Sequence, residues 1–263
     1  MSYTAKDVQK LRQTTGVGMM DAKKALDATD GDFDAAVKHL RVQGLASAAK
    51  RAEREASEGA IAVVRDGRAA ALVELRCETD FVAKSDDFTS LADEMAARVA
   101  ADGEGAVAEF QERIETLLTT LKENISVGRV IRLVAGEGEV INTYLHQQSD
   151  RGVNGVIVVV NGGDDELAHD ICVHAAFAKP AYLRRDDVPA EEIDRERQTV
   201  EEISRNEGKP EAALPKIIEG RLNAWFKDRV LLEQPYVKDE KQSVEQFIAP
   251  ATIRAFAQAF IGA

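Results

Sequence analysis

Glu74-Leu-Arg-Cys-Glu-Thr-Asp-Phe-Val-Ala-Lys84 is the stretch around which this chain is organised. It continues an apolar run, and together they read as a strand from Ala69 to Cys77. That strand delivers an acidic residue and a large aromatic, Asp80 and Phe81, into the connection before a helix beginning near Asp87. Loops that follow strands in a rigid scaffold are accessible and carry function. The ordinary place for a phenylalanine is nonetheless the core. Phe81 therefore has two readings, inward or outward, with opposite consequences.

Upstream, Ile61-Ala-Val-Val64 pairs with the Ala69–Cys77 run across an Asp66-Gly67 turn, the signal of an antiparallel hairpin. Downstream, Phe88, Leu91, Met95 and Val99 form one helical stripe, and after Asp102-Gly-Glu-Gly105 a further helix carries Phe110, Ile114, Leu117 and Leu121. Arg129 to Val134 is another strand. The order then recurs: Val140–Leu145 and Gly155–Val160 form a second hairpin, and Leu167 to Phe177 a second helix with Leu167, Ile171 and His174 at helical spacing. Strand, strand, helix thus occurs twice, about 80 residues apart, which predicts two related α/β halves with helices over one face of each sheet.

Residues 1–55 read as three short helices. Thr4 and Asp7 form a capping pair for the first, which carries Val8 and Leu11. Gly16-Val-Gly18 breaks it. The second starts near Met20 with Ala22, Ala25 and Leu26 inward, and the third carries Phe33, Ala36, Val37 and Leu40 and is expected to stop at Gly44. Residues 45–58 either continue helically or serve as linker. Gly16-x-Gly18 is no phosphate loop, because no strand precedes it and the Lys-Ser/Thr of that motif is missing.

Pro189 opens a different texture. Glu191 to Asn206 is a charged helix with a thin seam at Ile193, Val200 and Ile203, Glu207-Gly-Lys-Pro210 turns the chain, and Leu214, Ile217, Ile218, Leu222, Trp225 and Phe226 line a returning helix. Narrow seams on two helices joined by a Gly/Pro turn suit an antiparallel hairpin, which either stands out as an arm or folds flat on the body. Phe247 to Ile261 is apolar and is expected to pack as a terminal helix.

The chain carries a net charge of −12, but residues 1–55 hold ten Lys/Arg against eight Asp/Glu, leaving −14 on residues 56–263. That balance repels phosphate backbones and disfavours wholesale nucleic-acid binding. Cys77 and Cys172 sit in apolar segments and read as small buried hydrophobes. With no signal-peptide core and no apolar run near the roughly 18 residues that span a bilayer, a reducing, cytoplasmic setting is expected.

Two long motifs add to this reading. Leu11-Arg-Gln-Thr-Thr-Gly-Val-Gly-Met-Met-Asp-Ala-Lys-Lys-Ala-Leu26 resembles the amino-terminal signature of the bacterial elongation factor Ts family, and Glu74 to Lys84 resembles its second signature. His174-Ala-Ala-Phe-Ala-Lys-Pro180 and Gly208-Lys-Pro with Glu219-Gly-Arg221 resemble later landmarks in the same order. The resemblance implies an α+β protein. Its parts would be a ubiquitin-associated-like (UBA-like) three-helix module over residues 1–55 and a core of two related α/β subdomains, 56–139 and 140–186 with 234–263. An antiparallel coiled-coil hairpin over 187–233 would protrude from them.

It further implies guanine-nucleotide exchange on elongation factor Tu during translation, with Thr79, Asp80, Phe81 and Val82 entering the partner's GTPase domain and dislodging its Mg²⁺. Arg12, Met19, Met20 and His174 match further partner contacts. No cofactor, no bound metal, no direct nucleotide binding and no DNA or membrane contact is implied. The residues leave alternatives open: Met19 and Met20 as bundle core, His174 as a satisfied interior histidine, Arg12 as a solvated helix charge. Two departures stand out, Arg76 in place of an asparagine and Lys122 in place of a glycine. No contact is carried over to Leu121-Lys-Glu-Asn-Ile125, and the divergent carboxyl end leaves any tail contact open. The rivals are an α+β enzyme, for which His39, His146, His169 and His174 are too scattered, and a ubiquitin-binding or RNA-associated adaptor, in which the Glu74–Lys84 motif has no role.

Overall fold

The computed structural model describes residues 3–262. Thr4 and Asp7 do cap the first helix: the Asp7 carboxylate accepts from the Thr4 amide at 2.7 Å and the Thr4 hydroxyl accepts from the Asp7 amide at 3.4 Å. From there run α1 (Ala5–Thr15), α2 (Met19–Ala28) and α3 (Phe33–Arg51). They enclose a small core of Val8, Leu11, Val17, Ala22, Ala25, Leu26 and Ala36.

The expectation that Gly44 ends the third helix is corrected, because α3 continues to Arg51. Gly44 is there for proximity: a Cβ at that position would lie 2.2 Å from Thr119 Cγ2 on α6 (Gln111–Thr120). Arg41 bridges to Glu112 and Glu115, and Arg51 Nη2 donates to the Leu118 carbonyl at 2.8 Å. Along its length α3 thus fastens the three-helix unit to the body, with Arg51 of its extra turns adding the last contact.

The body is two three-stranded antiparallel sheets, face to face. The first has the order β1 (Glu58–Asp66), β2 (Ala69–Cys77), β3 (Ser126–Val134), and the second β4 (Glu139–Gln148), β5 (Arg151–Asn161), β8 (Thr252–Phe260). Strand alternation builds three layers of core at once. On β2, Ala71, Val73, Leu75 and Cys77 face α5 (Asp86–Asp102), while Ala70 and Leu72 face the other sheet. On β5, Val156, Val158 and Val160 face α7 (Asp165–Ala178), while Ile157 and Val159 face the first sheet. Both are central strands, buried on both faces, which is why their sequences are nearly unbroken apolar runs.

The carboxyl-terminal expectation is also corrected. Phe247 to Ile261 is not a helix: α10 (Val244–Ile248) ends early, and β8 completes the second sheet beside β5. Ala is the best helix former, so a run of alanines with apolar neighbours reads as helix. Here Ala257 and Ala259 are instead the small residues that fit between the two sheets, and tertiary packing overrides propensity.

Between the halves of the second unit, α8 (Ala190–Asn206) and α9 (Leu214–Arg229) pack on each other around Val200, Leu214, Ile218, Leu222 and Phe226. Their seam takes Ser204, not the expected Ile203, which is exposed; the buried Ser204 hydroxyl is satisfied by the Val200 carbonyl at 2.6 Å. A short hairpin, β6 (Pro235–Tyr236) and β7 (Asp239–Ser243), follows.

Candidate functional site

Between β2 and α5 the chain makes a single helical turn, α4 (Asp80–Ala83), where the sequence suggested only a connection. Thr79 caps it, its hydroxyl accepting from the Val82 amide at 3.4 Å. Ala83 is the residue of the turn that plugs the core, and Val82 packs against the same cluster. That orientation forces the preceding side chain outward. Phe81 is 84% exposed, the most exposed large hydrophobic side chain among the described residues. Of its two readings the structure selects the outward one.

The turn is held from several sides. Lys84 Nζ lies 2.6 Å from Asp80 Oδ2, and this hydrogen bond holds the Asp80 carboxyl below its ordinary range. Glu123 accepts from the Glu78 and Thr79 amides, each at 3.0 Å, and from the Thr79 hydroxyl. The Asn124 amide donates to Glu78 Oε1 at 2.6 Å. Beneath the turn, Cys77 Sγ reaches the Thr79 carbonyl at 3.2 Å, and burial, with Glu123 nearby, pushes its thiol up to about 12. A thiol so far from ionisation is packing, not a nucleophile.

Neither departure in the motifs disturbs the turn. Arg76 folds back on Glu74, with Nε to Oε1 at 2.8 Å and Nη2 to Oε2 at 3.1 Å, and Glu74 also accepts from the Arg129 amide. Lys122 sits at φ 60°, so the glycine it replaces would serve a left-handed backbone there. Glu123, next to it, is the residue that sequence reasoning missed. Its signal was present in Lys122-Glu-Asn124, a charged break between an amphipathic helix and a strand, but nothing local says that it reaches 45 residues back.

Met19 and Met20 open α2 with 46% and 62% of their surface exposed, so neither is bundle core. Arg12 is exposed in the last turn of α1. His174 is different. The resemblance pairs it with partner contact, but it is 0% exposed. Its Nδ1 accepts from the Val237 amide at 3.3 Å, so Nε2 carries the proton and meets Gln234 Oε1 at 3.0 Å. Burial pushes its pKa down. In the free chain His174 is thus an interior hydrogen-bond hub, the interior placement that the residues had left open. The side chain that α7 does present is Phe177, 79% exposed and not singled out from the sequence.

The exposed turn lines none of the main clefts among the described residues. A cleft of about 670 Å³ lies elsewhere, among Tyr144, His146, Arg151, Phe177 and Phe260, and none of the expected contact residues lines it. Small-molecule chemistry favours concave sites; a projecting aromatic on a braced turn suits insertion into another macromolecule. Among the described residues no helix is long and apolar enough to cross a membrane, and no group of three or more His, Cys, Asp or Glu could hold a metal ion.

The family model described as "Elongation factor TS" matches residues 78–262. Elongation factor Ts of Clavibacter sepedonicus is 47% identical over 276 aligned residues, covering 100% of this chain and 99% of the relative. That of Kineococcus radiotolerans is 43% identical, covering 96% and 95%, and that of Thermobifida fusca 42%, covering 99% of each. The matched span begins at the residue before Thr79 and so includes the turn; the full-length relatives extend the likeness over the three-helix unit.

Proposed function

The chain belongs to the elongation factor Ts family, and we propose from that premise that the Thr79–Val82 turn is the part with which it promotes GDP release from elongation factor Tu. It is a guanine-nucleotide exchange factor of translation elongation, acting where translation takes place, in the cytoplasm. We read it as a binding factor and not as an enzyme: exchange needs no covalent step. A GTPase holds GDP through its phosphates and a Mg²⁺ ion. Whatever binds the nucleotide-free partner more tightly than the loaded one lowers GDP affinity by the same factor.

The observation that carries this reading is the exposure of Phe81 on a turn whose every other side chain is at least partly buried. Fully burying a phenylalanine contributes about 2–3 kcal/mol. Released only when the ring enters a displaced pocket, that amount corresponds to roughly 30- to 150-fold in GDP affinity. Phe81 is the wedge in this reading, Asp80 and Thr79 shape the turn, and Val82 anchors it. The turn would displace Mg²⁺ from the partner's site. Met19 and Met20, adaptable exposed apolar side chains at the start of α2, and Arg12, exposed in the last turn of α1, are read as further contacts.

We take residues 1–55 as a recognition module, 56–139 and 140–186 with 234–263 as the two core halves, and 187–233 as a helical hairpin for further contact. Its support is the hydrophobic cluster that α8 and α9 form apart from those filling the sheets. The test is release of labelled GDP from elongation factor Tu. Catalytic amounts of the chain should accelerate it many-fold, and an unchanged rate would end the proposal.

A further inference from the structure

Residues 122–124 form a short strut between α6 and β3, and it reaches three separate parts of the molecule. Glu123 receives the Glu78 amide, the Thr79 amide and the Thr79 hydroxyl. Asn124 donates from its backbone to Glu78 Oε1 at 2.6 Å and from Nδ2 to the Arg54 carbonyl at 2.7 Å. Lys122 points the other way, its Nζ 2.7 Å from Asp21 Oδ2 in the first turn of α2, next to Met19 and Met20.

We propose that Glu123 is a positioning residue for nucleotide exchange, fixing the Thr79–Val82 turn so that Phe81 is presented in one orientation, while Lys122 keys the same strut to the surface carrying Met19 and Met20. This rests on the reading of that turn as the contact element. A carboxylate accepting three donors makes charge-assisted bonds, stronger than neutral ones. The donors all come from the two residues that lead into the turn, so a single side chain governs its direction. Without it, the Glu78 and Thr79 amides turn to water and the ring samples several directions. Pre-organisation is lost while the ring and the core below stay as they were. The Lys122–Asp21 pair, with Lys122 exposed and Asp21 half-buried, remains open to solvent and contributes little alone. Glu123 therefore carries most of the effect.

The experiment uses the full chain and elongation factor Tu loaded with labelled GDP. Glu123→Ala should lower the maximal release rate roughly tenfold, the scale of a lost positioning contact, while the half-saturating concentration moves less than about threefold. Glu123→Gln keeps an acceptor for the amides and can donate to the Thr79 hydroxyl, so it should recover most of the rate. In a Phe81→Ala background, Glu123→Ala should change the remaining stimulation less than about twofold, because no ring is left to position. In the free chain, amide exchange at Glu78, Thr79 and Val82 should quicken about tenfold in Glu123→Ala while Leu72 and Leu75 in β2 are unchanged.

Equal slowing in both backgrounds, or unaltered exchange at those amides, overturns the proposal. Slow release with Phe81→Ala beside full speed with Glu123→Ala overturns the brace alone. Full speed with Phe81→Ala overturns the contact turn, and the brace with it.

Discussion

The two halves of the body share a plan and differ at one joint. In the second, three residues, 162–164, separate β5 from α7, which is capped by Asp164, whose carboxylate accepts from the Leu167 amide at 2.8 Å. In the first, eight residues, 78–85, separate β2 from α5, and they hold a helical turn with Phe81 facing solvent. The shorter joint only connects. The longer one is braced by Glu123 and Lys84 and keeps a costly apolar ring in water, which folding alone does not require. The second half buries its corresponding interest: His174 lies inside, satisfied on both ring nitrogens. The contrast is between an apolar ring left in water and a histidine sealed inside with both ring nitrogens satisfied.

The sharpest way to break that contrast is to delete each side chain. Phe81→Ala should slow stimulated GDP release roughly 30- to 100-fold, from the burial it forgoes, and leave stability within about 0.5 kcal/mol, as expected of a surface change. His174→Ala should do the reverse. It strands Gln234 Oε1 and the Val237 amide and should cost about 1–3 kcal/mol in denaturant unfolding, with release per folded molecule unchanged. If both variants lose stability equally, Phe81 belongs to the core and the distinction collapses.

Acid should separate the halves further. The folded pKa of His174 lies below the ordinary 6.5, so below that pH the unfolded chain takes up a proton that the buried ring refuses. Stability should therefore fall as pH drops from about 7 through 6 and towards the folded pKa, and His174→Asn should flatten this slope in urea titrations compared across pH. Asp80 has its pKa lowered, so the Lys84 contact persists at those pH values and weakens only in stronger acid. The smallest effect expected is that of Lys122→Ala: an exposed ion pair is worth about 0–1 kcal/mol, so release should change less than about fivefold.

Much of this architecture was legible in the sequence. Two doubly buried central strands announce themselves by nearly unbroken apolar runs, Ala69–Leu75, interrupted only by Glu74, and Gly155–Val160, and the Asp66-Gly67 turn by its residue types. Helical stripes such as Phe88, Leu91, Met95 and Val99 did likewise. What failed had a common cause. Gly44 reads as a stop and Phe247 to Ile261, with its alanines, as a helix, because small residues have weak local meaning; in each case a distant neighbour, Thr119 on α6 or the facing sheet, explains them. At the candidate site, the motif gave Thr79 to Val82, but the direction of the Phe81 ring was undetermined until Ala83 and Val82 were seen to occupy the core below. Glu123 was invisible because its partners lie 44 and 45 residues away. His174 keeps the helical spacing of a buried position with Leu167 and Ile171, and its burial in α7 follows that spacing.

The claim at the centre is that the Phe81 ring is buried by the partner and not by its own fold. A fluorine label on that ring reports this directly, through the change in its NMR shift between H₂O and D₂O. In the free chain the label should show the full solvent shift of an exposed ring, and on addition of nucleotide-free elongation factor Tu that shift should vanish. A ring that keeps its solvent shift in a complex still competent to release GDP would contradict the account.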